Sequence, residues 1–307
     1  MDAANAGSSS TAGKPAAIKG SFVVLEGADG SGKGTQFELL ADNLRQAGYD
    51  VAAFDFPQYG RPSGYFVQRY LNGQYGTAEA VGPYTASLFY ALDRYDVAGQ
   101  IRQALDEGKV VLANRYAGSS MAHQGAKFPD VEQRRGFFIW LDNLEFETLH
   151  IPRPDLNIVL RVPAEIAQTL VDQKGSRQYT GRQRDIHEAD LGHLRLAVDV
   201  YDDLCQLFPK DFYRIDCMRD GVIMPVEDIQ RILYERVRPQ LPPVPHHKPS
   251  ASAGLPIAEA PTEAPTSDRQ PVQLMPVEAE PAAGSDTAAQ DSADAAGQPD
   301  LAGLLVE

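Results

Sequence analysis

The sequence has few cysteines and no long apolar run, and both absences exclude classes of protein. Its 307 residues include only Cys205 and Cys217, and neither forms a zinc-ligand pattern with the six histidines. Two cysteines are also too few for a disulfide framework. No stretch approaches the roughly 20 apolar residues of a membrane-spanning helix, and residues 1–19 lack the apolar centre of a secretory signal. We therefore expect a cytoplasmic protein with no membrane partner.

Positive charge is also scarce. The formal net charge is −14, and no basic stripe with interleaved aromatic residues is present, so no nucleic-acid partner is expected. The segment 241–307 carries ten acidic residues against Lys248 and Arg269, which accounts for −8 of the total. The rest of the chain is only mildly acidic, and a few well-placed arginines there can still bind a small phosphate ligand.

Composition also predicts the domain boundaries. The segment 241–307 has eleven prolines and no aromatic residue, and residues 1–19 are mostly Ala, Gly and Ser. Such segments cannot bury enough apolar surface to offset the entropy lost on ordering. We expect a disordered N-terminal segment at 1–19, one folded domain at 20–240, and a disordered Pro/Ala/acidic tail at 241–307.

Within residues 20–240, short apolar runs alternate with longer helical patterns. The predicted strands are 22–26, 49–55, 109–114, 156–162 and 212–216. The main predicted helices are 33–47, 63–71, 83–107 and 130–149. For three further predicted helices only one end is given: one begins at Pro163, one ends at residue 207, and one begins at residue 226. This alternation predicts an α/β fold of three layers, with a five-stranded parallel sheet covered by helices on both faces. Ligands in such folds bind at the carboxyl ends of the strands.

A glycine-rich loop follows the first predicted strand. Its glycines let backbone N–H groups converge on phosphates, the next helix adds its positive N-terminus, and Lys33 can reach the β- and γ-phosphate oxygens. The strict pattern has Ser or Thr directly after the lysine. Gly34 stands there instead, so Thr35 is expected to contact a phosphate rather than Mg²⁺. The predicted ATP-binding residues are Gly27, Gly30, Ser31, Gly32, Lys33, Gly34 and Thr35.

The Gly-Lys-Gly-Thr-Gln form at 32–36 is similar to nucleoside monophosphate kinases, and four further segments resemble the thymidylate kinases in particular. They are Asp55-Phe56-Pro57, residues 88–95, Asn114-Arg115-Tyr116 with 119–125, and the basic loop 177–184. The resemblance covers about residues 20–238. It implies a P-loop nucleoside monophosphate kinase fold with a lid, transfer of the γ-phosphoryl group of ATP to dTMP, ATP and Mg²⁺ as ligands, and a homodimer.

The resemblance also implies roles for side chains around the acceptor. Arg94 and Arg115 are expected to clamp its phosphate, because guanidinium groups suit phosphate geometry. Tyr90 is expected to stack on the base and Asp29 to contact the deoxyribose 3′-hydroxyl. An ordinary core aromatic and a loop-shaping carboxylate are the respective alternatives. The other expected dTMP contacts are Phe56, Pro57, Ser119, Ser120 and Gln124.

Four positions bear on how closely this chain follows the family. Tyr59 stands where the family usually has an arginine, with Arg61 as a possible substitute. Asn114 replaces an aspartate, and His123 replaces a frequent tyrosine. Glu26 is assigned to Mg²⁺ through water, and a buried structural carboxylate is its alternative.

The basic loop is expected to neutralise the transferring phosphoryl group. Some thymidylate kinases place an arginine in the P-loop after the aspartate, but here Gly30 follows Asp29. The cations must then come from a lid that closes over ATP. The expected catalytic residues are Lys33, Arg115, Arg177, Arg182 and Arg184.

Two other functions remain open at this stage. A deoxynucleoside kinase also has a P-loop and an arginine after a strand, but it accepts an uncharged 5′-hydroxyl. A non-catalytic P-loop protein that binds nucleotide for regulation would tolerate Asn114. The pair of Arg94 and Arg115 argues against the first, and the retention of Lys33 argues against the second.

Overall fold

The computed structural model describes residues 19–173 and 191–244, all within one compact unit. The predicted N-terminal segment, most of the predicted lid and all but the first residues of the predicted tail lie outside these ranges. Among the described residues, no helix combines the length and apolarity needed to cross a bilayer.

The central sheet has five parallel strands, as the sequence predicted. Their spatial order is β2-β3-β1-β4-β5. The first strand therefore lies in the middle, which places the glycine-rich loop at the centre of the carboxyl edge. The strands are β1 (Ser21–Glu26), β2 (Val51–Asp55), β3 (Val110–Asn114), β4 (Leu156–Arg161) and β5 (Phe212–Asp216).

Eight α-helices accompany the sheet in the part of the chain that the structure describes. They are α1 (Lys33–Gln46), α2 (Tyr65–Leu71), α3 (Ala78–Asp106), α4 (Ala117–Gly125), α5 (Val131–Asp142), α6 (Ala164–Gln173), α7 (Leu191–Leu207) and α8 (Val226–Val237). Short 3₁₀ turns occupy Pro62–Gly64 and Arg238–Gln240. Two short strands, β6 (Met218–Arg219) and β7 (Val222–Ile223), form an antiparallel hairpin. This hairpin was not predicted, although the Asp220-Gly221 pair between its strands, with φ values of 51° and 77°, is a typical two-residue hairpin turn.

Alternation along β1 explains the three layers. Val23 and Leu25 pack in a core that includes Leu40 of α1 and Leu233 of α8. Their neighbour Val24 belongs to a second core that contains Val97, Ile101 and Ala104 of α3. Successive strand residues point to opposite faces, so burial on both faces requires helices on both sides.

Two helices differ from the pattern expected from the sequence. The long helix α3 begins at Ala78, where the side chain of Thr77 accepts a hydrogen bond from Ala80 N (3.2 Å), and it breaks at Gly82 (φ 75°). The predicted start at 83 corresponds to its second segment. The predicted helix 130–149 is two elements, α5 and a π-helical turn at Asn143–Thr148.

The folded domain extends slightly past the predicted boundary at 240. Leu241 packs against the core beneath α1 and α8, and Pro242 is buried. Residues 241–244 therefore belong with the domain.

Candidate functional site

A cavity of about 300 Å³ opens at the carboxyl ends of β1, β2 and β3. We call it the main cavity. The P-loop forms its floor, and the loop after β2, α3 and the start of α4 form its wall. All residues predicted to contact the acceptor line it, namely Asp29, Phe56, Pro57, Tyr90, Arg94, Arg115, Ser119, Ser120 and Gln124.

The floor of the main cavity is formed mainly by backbone atoms rather than by side chains. Gly30, Gly32, Lys33 and Gly34 line it. Gly30 has φ +80°, and a Cβ there would lie 2.0 Å from the carbonyl oxygen of Ala167. Gly32 also has positive φ (83°) and directly precedes α1. Residues with side chains rarely adopt such angles, so glycine is what lets the loop bring its N–H groups to the helix N-terminus.

Three of the predicted ATP-binding residues do not line the main cavity. Gly27 and Ser31 are buried within the loop, and Thr35 is exposed on the first turn of α1.

Lys33 lies across the floor as the first residue of α1. Its Nζ donates to the Ala28 carbonyl oxygen (2.7 Å) and approaches Ser31 Oγ (3.5 Å). The side chain is only 6% exposed but lines the cavity. The ammonium group is thus held among loop oxygens at the point where phosphate oxygens would replace them.

Arg115 joins the end of β3 to the P-loop. It has a positive φ of 66°, its Nη2 donates to Asp29 Oδ1, and its Nη1 lies 3.2 Å from His123 Nε2. Burial lowers the pKa of the Arg115 guanidinium, but the charge of Asp29 and other neighbours more than offsets it, so the pKa is raised. All three side chains line the cavity, where a bound anion could compete for the guanidinium.

Glu26, at the end of β1, is a structural carboxylate. It is fully buried and absent from the cavity lining. Its Oε1 accepts from the backbone N–H groups of Tyr116 (2.9 Å) and Ser119 (3.0 Å), and its Oε2 accepts from Ser119 Oγ (2.6 Å) and Tyr201 OH (2.9 Å). These four bonds use its acceptor capacity. The contact of Glu26 with Mg²⁺ through water stays a prediction, and these bonds favour its alternative, a buried carboxylate that holds the junction between β3 and α4.

The main cavity offers other oxygen atoms that suit Mg²⁺. The described residues contain no group of three or more His, Cys, Asp or Glu side chains that could hold a metal by themselves. Asp29, Asp55 and Asn114 nevertheless line the cavity. Asn114 Nδ2 donates to Asp55 Oδ1 (2.8 Å), and its own Oδ1 is buried with no hydrogen-bond partner in the described parts of the chain. Such a donor set fits a Mg²⁺ ion that arrives on nucleotide phosphates and needs one or two protein oxygens.

Arg94 forms the back of the cavity wall. Its Nε donates to Glu145 Oε2 (2.7 Å) and its Nη2 to Glu145 Oε1, so the two side chains form a bidentate pair. Arg94 is 2% exposed and Glu145 is fully buried. Burial lowers the pKa of the Arg94 guanidinium, but the charge and hydrogen bonds of Glu145 more than offset it, and the pKa is raised. Arg94 therefore stays protonated, and its charge is already balanced.

The preceding residue on α3, Asp93, holds the loop after β2. Its Oδ2 accepts from the backbone N–H of Gln58 (2.8 Å), and its carbonyl oxygen accepts from Gln58 Nε2 (3.0 Å). Asp93 is 1% exposed. This contact fixes Pro57 and Tyr59 at the cavity wall.

The remaining wall residues are aromatic or amide groups. Tyr90 lines the cavity and packs edge-to-face on Tyr70, with ring centroids 6.4 Å apart. Gln124 is 1% exposed, and its Oε1 has no partner among the described residues. Tyr59 lines the cavity, whereas Arg61 is exposed and does not. The substitute arginine considered from the sequence is therefore not at the wall.

Sequence reasoning missed the two carboxylates that organise this wall. Asp93 lies within the 88–95 motif, but it was given no role. Glu145 lies in the segment Asp142-Asn143-Leu144-Glu145-Phe146-Glu147, which contains two other acidic residues, so the sequence alone does not distinguish it as a buried carboxylate. The catalytic arginines predicted in the lid, Arg177, Arg182 and Arg184, lie outside the described residues.

Comparison with known proteins gives consistent matches. The family model described as thymidylate kinase matches residues 25–219. The thymidylate kinase of Mycobacterium tuberculosis is 31% identical over 184 residues, which cover 60% of this chain and 85% of that protein. The probable thymidylate kinase of Pyrococcus abyssi is 37% identical over 187 residues, covering 59% and 84%.

A solved structure shares the fold. It is the thymidylate kinase from Candida albicans, which superposes with a TM-score of 0.56 at 20% identity and covers 72% of this chain and 92% of that one. The family model spans more than half of the chain and includes every segment that lines the main cavity. The chain therefore belongs to the thymidylate kinase family.

Proposed function

We propose that the protein is a thymidylate kinase that transfers the γ-phosphoryl group of ATP to dTMP, giving ADP and dTDP. The observation that carries this proposal is that one cavity joins a P-loop floor to a wall with Arg94, Arg115 and Tyr90. Two phosphate groups held in one cavity react as if in a single molecule, which supplies much of the rate of phosphoryl transfer. These substrates fit a cytoplasmic location.

The floor is assigned to ATP. Backbone N–H groups at the start of α1 would bind its phosphates, and Lys33 would exchange the Ala28 carbonyl for a phosphate oxygen. Asp29, Asp55 and Asn114 are the residues that would hold Mg²⁺. When bound with ATP, this ion supplies charge neutralisation to the phosphate oxygens.

The wall is assigned to dTMP, with different roles for the two arginines. Glu145 lies behind the wall and balances Arg94, so Arg94 presents a hydrogen-bond donor with little net charge. Arg115 pairs with Asp29 inside the cavity, where a phosphate can compete for it. We therefore assign the charge of the acceptor phosphate to Arg115, and to Arg94 a hydrogen bond to dTMP from the wall. Tyr90 is assigned to the base and Asp29 to the deoxyribose.

The lid arginines complete the proposal. With Gly30 after Asp29, the P-loop has no arginine of its own. Arg177, Arg182 and Arg184 are assigned to the transferring phosphoryl group, where they act on charge that develops only in the transition state. Replacing them by alanine one at a time should lower kcat more than it raises either KM. Unchanged kcat in all three variants would contradict this assignment.

The decisive experiment compares acceptors. The purified protein is incubated with ATP, Mg²⁺ and either dTMP, thymidine, dUMP or another monophosphate, and ADP and the nucleotide product are quantified. We expect dTDP with dTMP and no product with thymidine. Phosphorylation of thymidine instead would indicate a deoxynucleoside kinase. No turnover with any acceptor, together with tight ATP binding, would indicate a regulatory nucleotide-binding protein.

We also propose that the protein is a homodimer. Leu88, Leu92 and Tyr95 follow one face of α3 and are 40%, 46% and 52% exposed, and Tyr65 and Phe66 of α2 are exposed nearby. Contiguous apolar surface of this kind is typical of an interface. Light scattering should give twice the chain mass, and Leu92→Glu should give a monomer. A monomeric parent protein at assay concentrations would contradict the proposal.

A further inference from the structure

Glu145 is a charged residue of the acceptor wall that does not touch the cavity. It is fully buried, lies 51 positions from Arg94 in the chain, and does not line the cavity. Both of its oxygens accept from Arg94, as in a bidentate pair of carboxylate and guanidinium. Any effect of Glu145 on substrate must therefore pass through Arg94.

One N–H group of the Arg94 guanidinium makes no hydrogen bond to the described residues. A guanidinium has five N–H groups. Nε and one N–H of Nη2 go to Glu145, and the second N–H of Nη2 goes to Ser120 Oγ (3.0 Å). Nη1 makes one long contact of 3.4 Å with the Tyr116 carbonyl oxygen. One Nη1 N–H has no acceptor among the described residues, and Arg94 lines the cavity.

The π-helical turn at Asn143–Thr148 places Glu145 in this position. The turn continues α5 directly, and its wider winding is of a kind often found at functional sites. The Glu145 carbonyl oxygen accepts from Ile151 N (2.9 Å), and Leu149 N donates to the Leu144 carbonyl oxygen (2.9 Å). These bonds fix the backbone on both sides of the carboxylate.

We propose that Glu145 is a positioning residue for dTMP, which it serves by fixing the orientation and balancing the charge of Arg94. This inference rests on the proposed function and extends it. With Glu145 in place, dTMP meets a guanidinium whose remaining donor is already aimed at the cavity. Without it, the guanidinium is a buried cation free to turn toward Asp93 or water.

The test replaces Glu145 by Gln, which keeps the size but sets an amide N–H against an Arg94 N–H. The KM for dTMP should rise roughly tenfold or more, the size of one lost charge-assisted hydrogen bond. The KM for ATP and kcat should change less than about threefold, because the floor is untouched. Affinity for dTMP alone, measured by calorimetry, should fall by the same factor as KM rises.

Asp142→Asn is the matched control. Asp142 ends α5, three positions before Glu145, and accepts two hydrogen bonds from Arg153 (2.7 and 3.0 Å). The change disturbs the same segment and another bidentate pair, but not Arg94. The KM for dTMP should stay at the parent value. An equal rise in both variants would show a general structural effect and overturn the proposal.

A second variant pair tests whether Glu145 acts through Arg94. In the Arg94→Met background, Glu145→Met should leave the KM for dTMP unchanged within about twofold, because the residue it positions is gone. This pair also removes both buried charges, so it serves if Glu145→Gln fails to fold. A further large rise in KM would overturn the proposal. An inactive parent protein would instead refute the proposed function, so the two failures are distinguishable.

Discussion

The floor and the wall of the main cavity are held together in different ways. The floor is one continuous loop whose shape follows from glycines at 30 and 32 and from the helix that begins at Lys33. The wall is assembled from side chains far apart in the chain, through the pairs of Arg94 with Glu145 and of Gln58 with Asp93. The floor is therefore local structure, and the wall is tertiary structure.

This difference predicts different consequences of mutation. The Lys33 side chain of the floor hydrogen-bonds within its own loop, so changing it should affect chemistry more than stability. Wall residues are buried ions and amides, so changing them removes partners from buried groups and should affect stability and acceptor binding together. Four experiments, ordered by expected effect, examine this contrast.

The largest effect is expected for Lys33→Met. The ammonium would neutralise charge on the transferring phosphoryl group, so kcat should fall about 10²-fold or more, as when other transition-state donors are removed. The free energy of unfolding should change much less than the activation free energy, since the bond from Nζ to the Ala28 carbonyl oxygen stays within one loop. Steady-state kinetics and urea denaturation measure the two quantities. Near-parent kcat in a folded variant would contradict the assignment of the floor to ATP.

The next effect concerns stability of the wall. Arg94→Met leaves the Glu145 carboxylate buried without its cation, which should cost about 3–5 kcal/mol of unfolding free energy. Asp29→Asn breaks the other pair, but Asp29 and Arg115 are 13% and 18% exposed at the cavity. It should cost less, about 1 kcal/mol. Urea denaturation measures the loss of unfolding free energy in each variant. Equal losses would contradict the predicted difference between the two ion pairs.

A smaller, pH-dependent effect is expected at Lys127, which lies two residues after α4. Its Nζ donates to Tyr70 OH (2.8 Å) and the Ala78 carbonyl oxygen (3.1 Å). Burial lowers its pKa from 10.5 to about 8. Between these values the unfolded chain binds a proton that the folded chain does not, so this group adds stability as pH rises.

Lys127→Met should remove this increase of the unfolding free energy with pH. The burial-raised pKa values of Cys205 and Cys217, both about 12, act in the opposite direction above pH about 9. The informative quantity is therefore the difference in unfolding free energy between parent and variant at pH 7.5 and 10. We expect the unfolding free energy of the parent to rise relative to that of the variant between pH 7.5 and 10. A constant difference would show that Lys127 is not desolvated.

The smallest effect is expected from removing residues 245–307. Their proline-rich, aromatic-free composition predicts no contribution to a packed core. Both kinetic constants and the melting temperature should match the full chain within error. The truncation starts at 245 because Leu241 and Pro242 pack on the domain. A marked loss of stability would mean that the tail packs after all.

The same contrast explains what could be predicted from the sequence. The glycine-rich loop and the order of strands and helices follow from local patterns, and the placement of Arg94 and Arg115 at the cavity follows from the family resemblance. Glu145 as the partner of Arg94 does not, because their pairing depends on how a π-helical turn packs 51 residues away. The hydrogen-bond partners of Glu26 could not be predicted for a similar reason. Its strand-end position suggests a ligand, but its partners Ser119 and Tyr201 come from distant helices.

Asp93 and Arg94 have a joint consequence for α3. They are consecutive, so their side chains leave the helix about 100° apart and hold two different parts of the wall, the loop after β2 and the turn that carries Glu145. Rotating α3 about its axis cannot favour one contact without loosening the other. The width of the cavity therefore depends on the rotation of this one helix about its axis. Leu88, Leu92 and Tyr95 lie on the exposed face of that helix, so the surface proposed for the dimer and the acceptor wall belong to one helix.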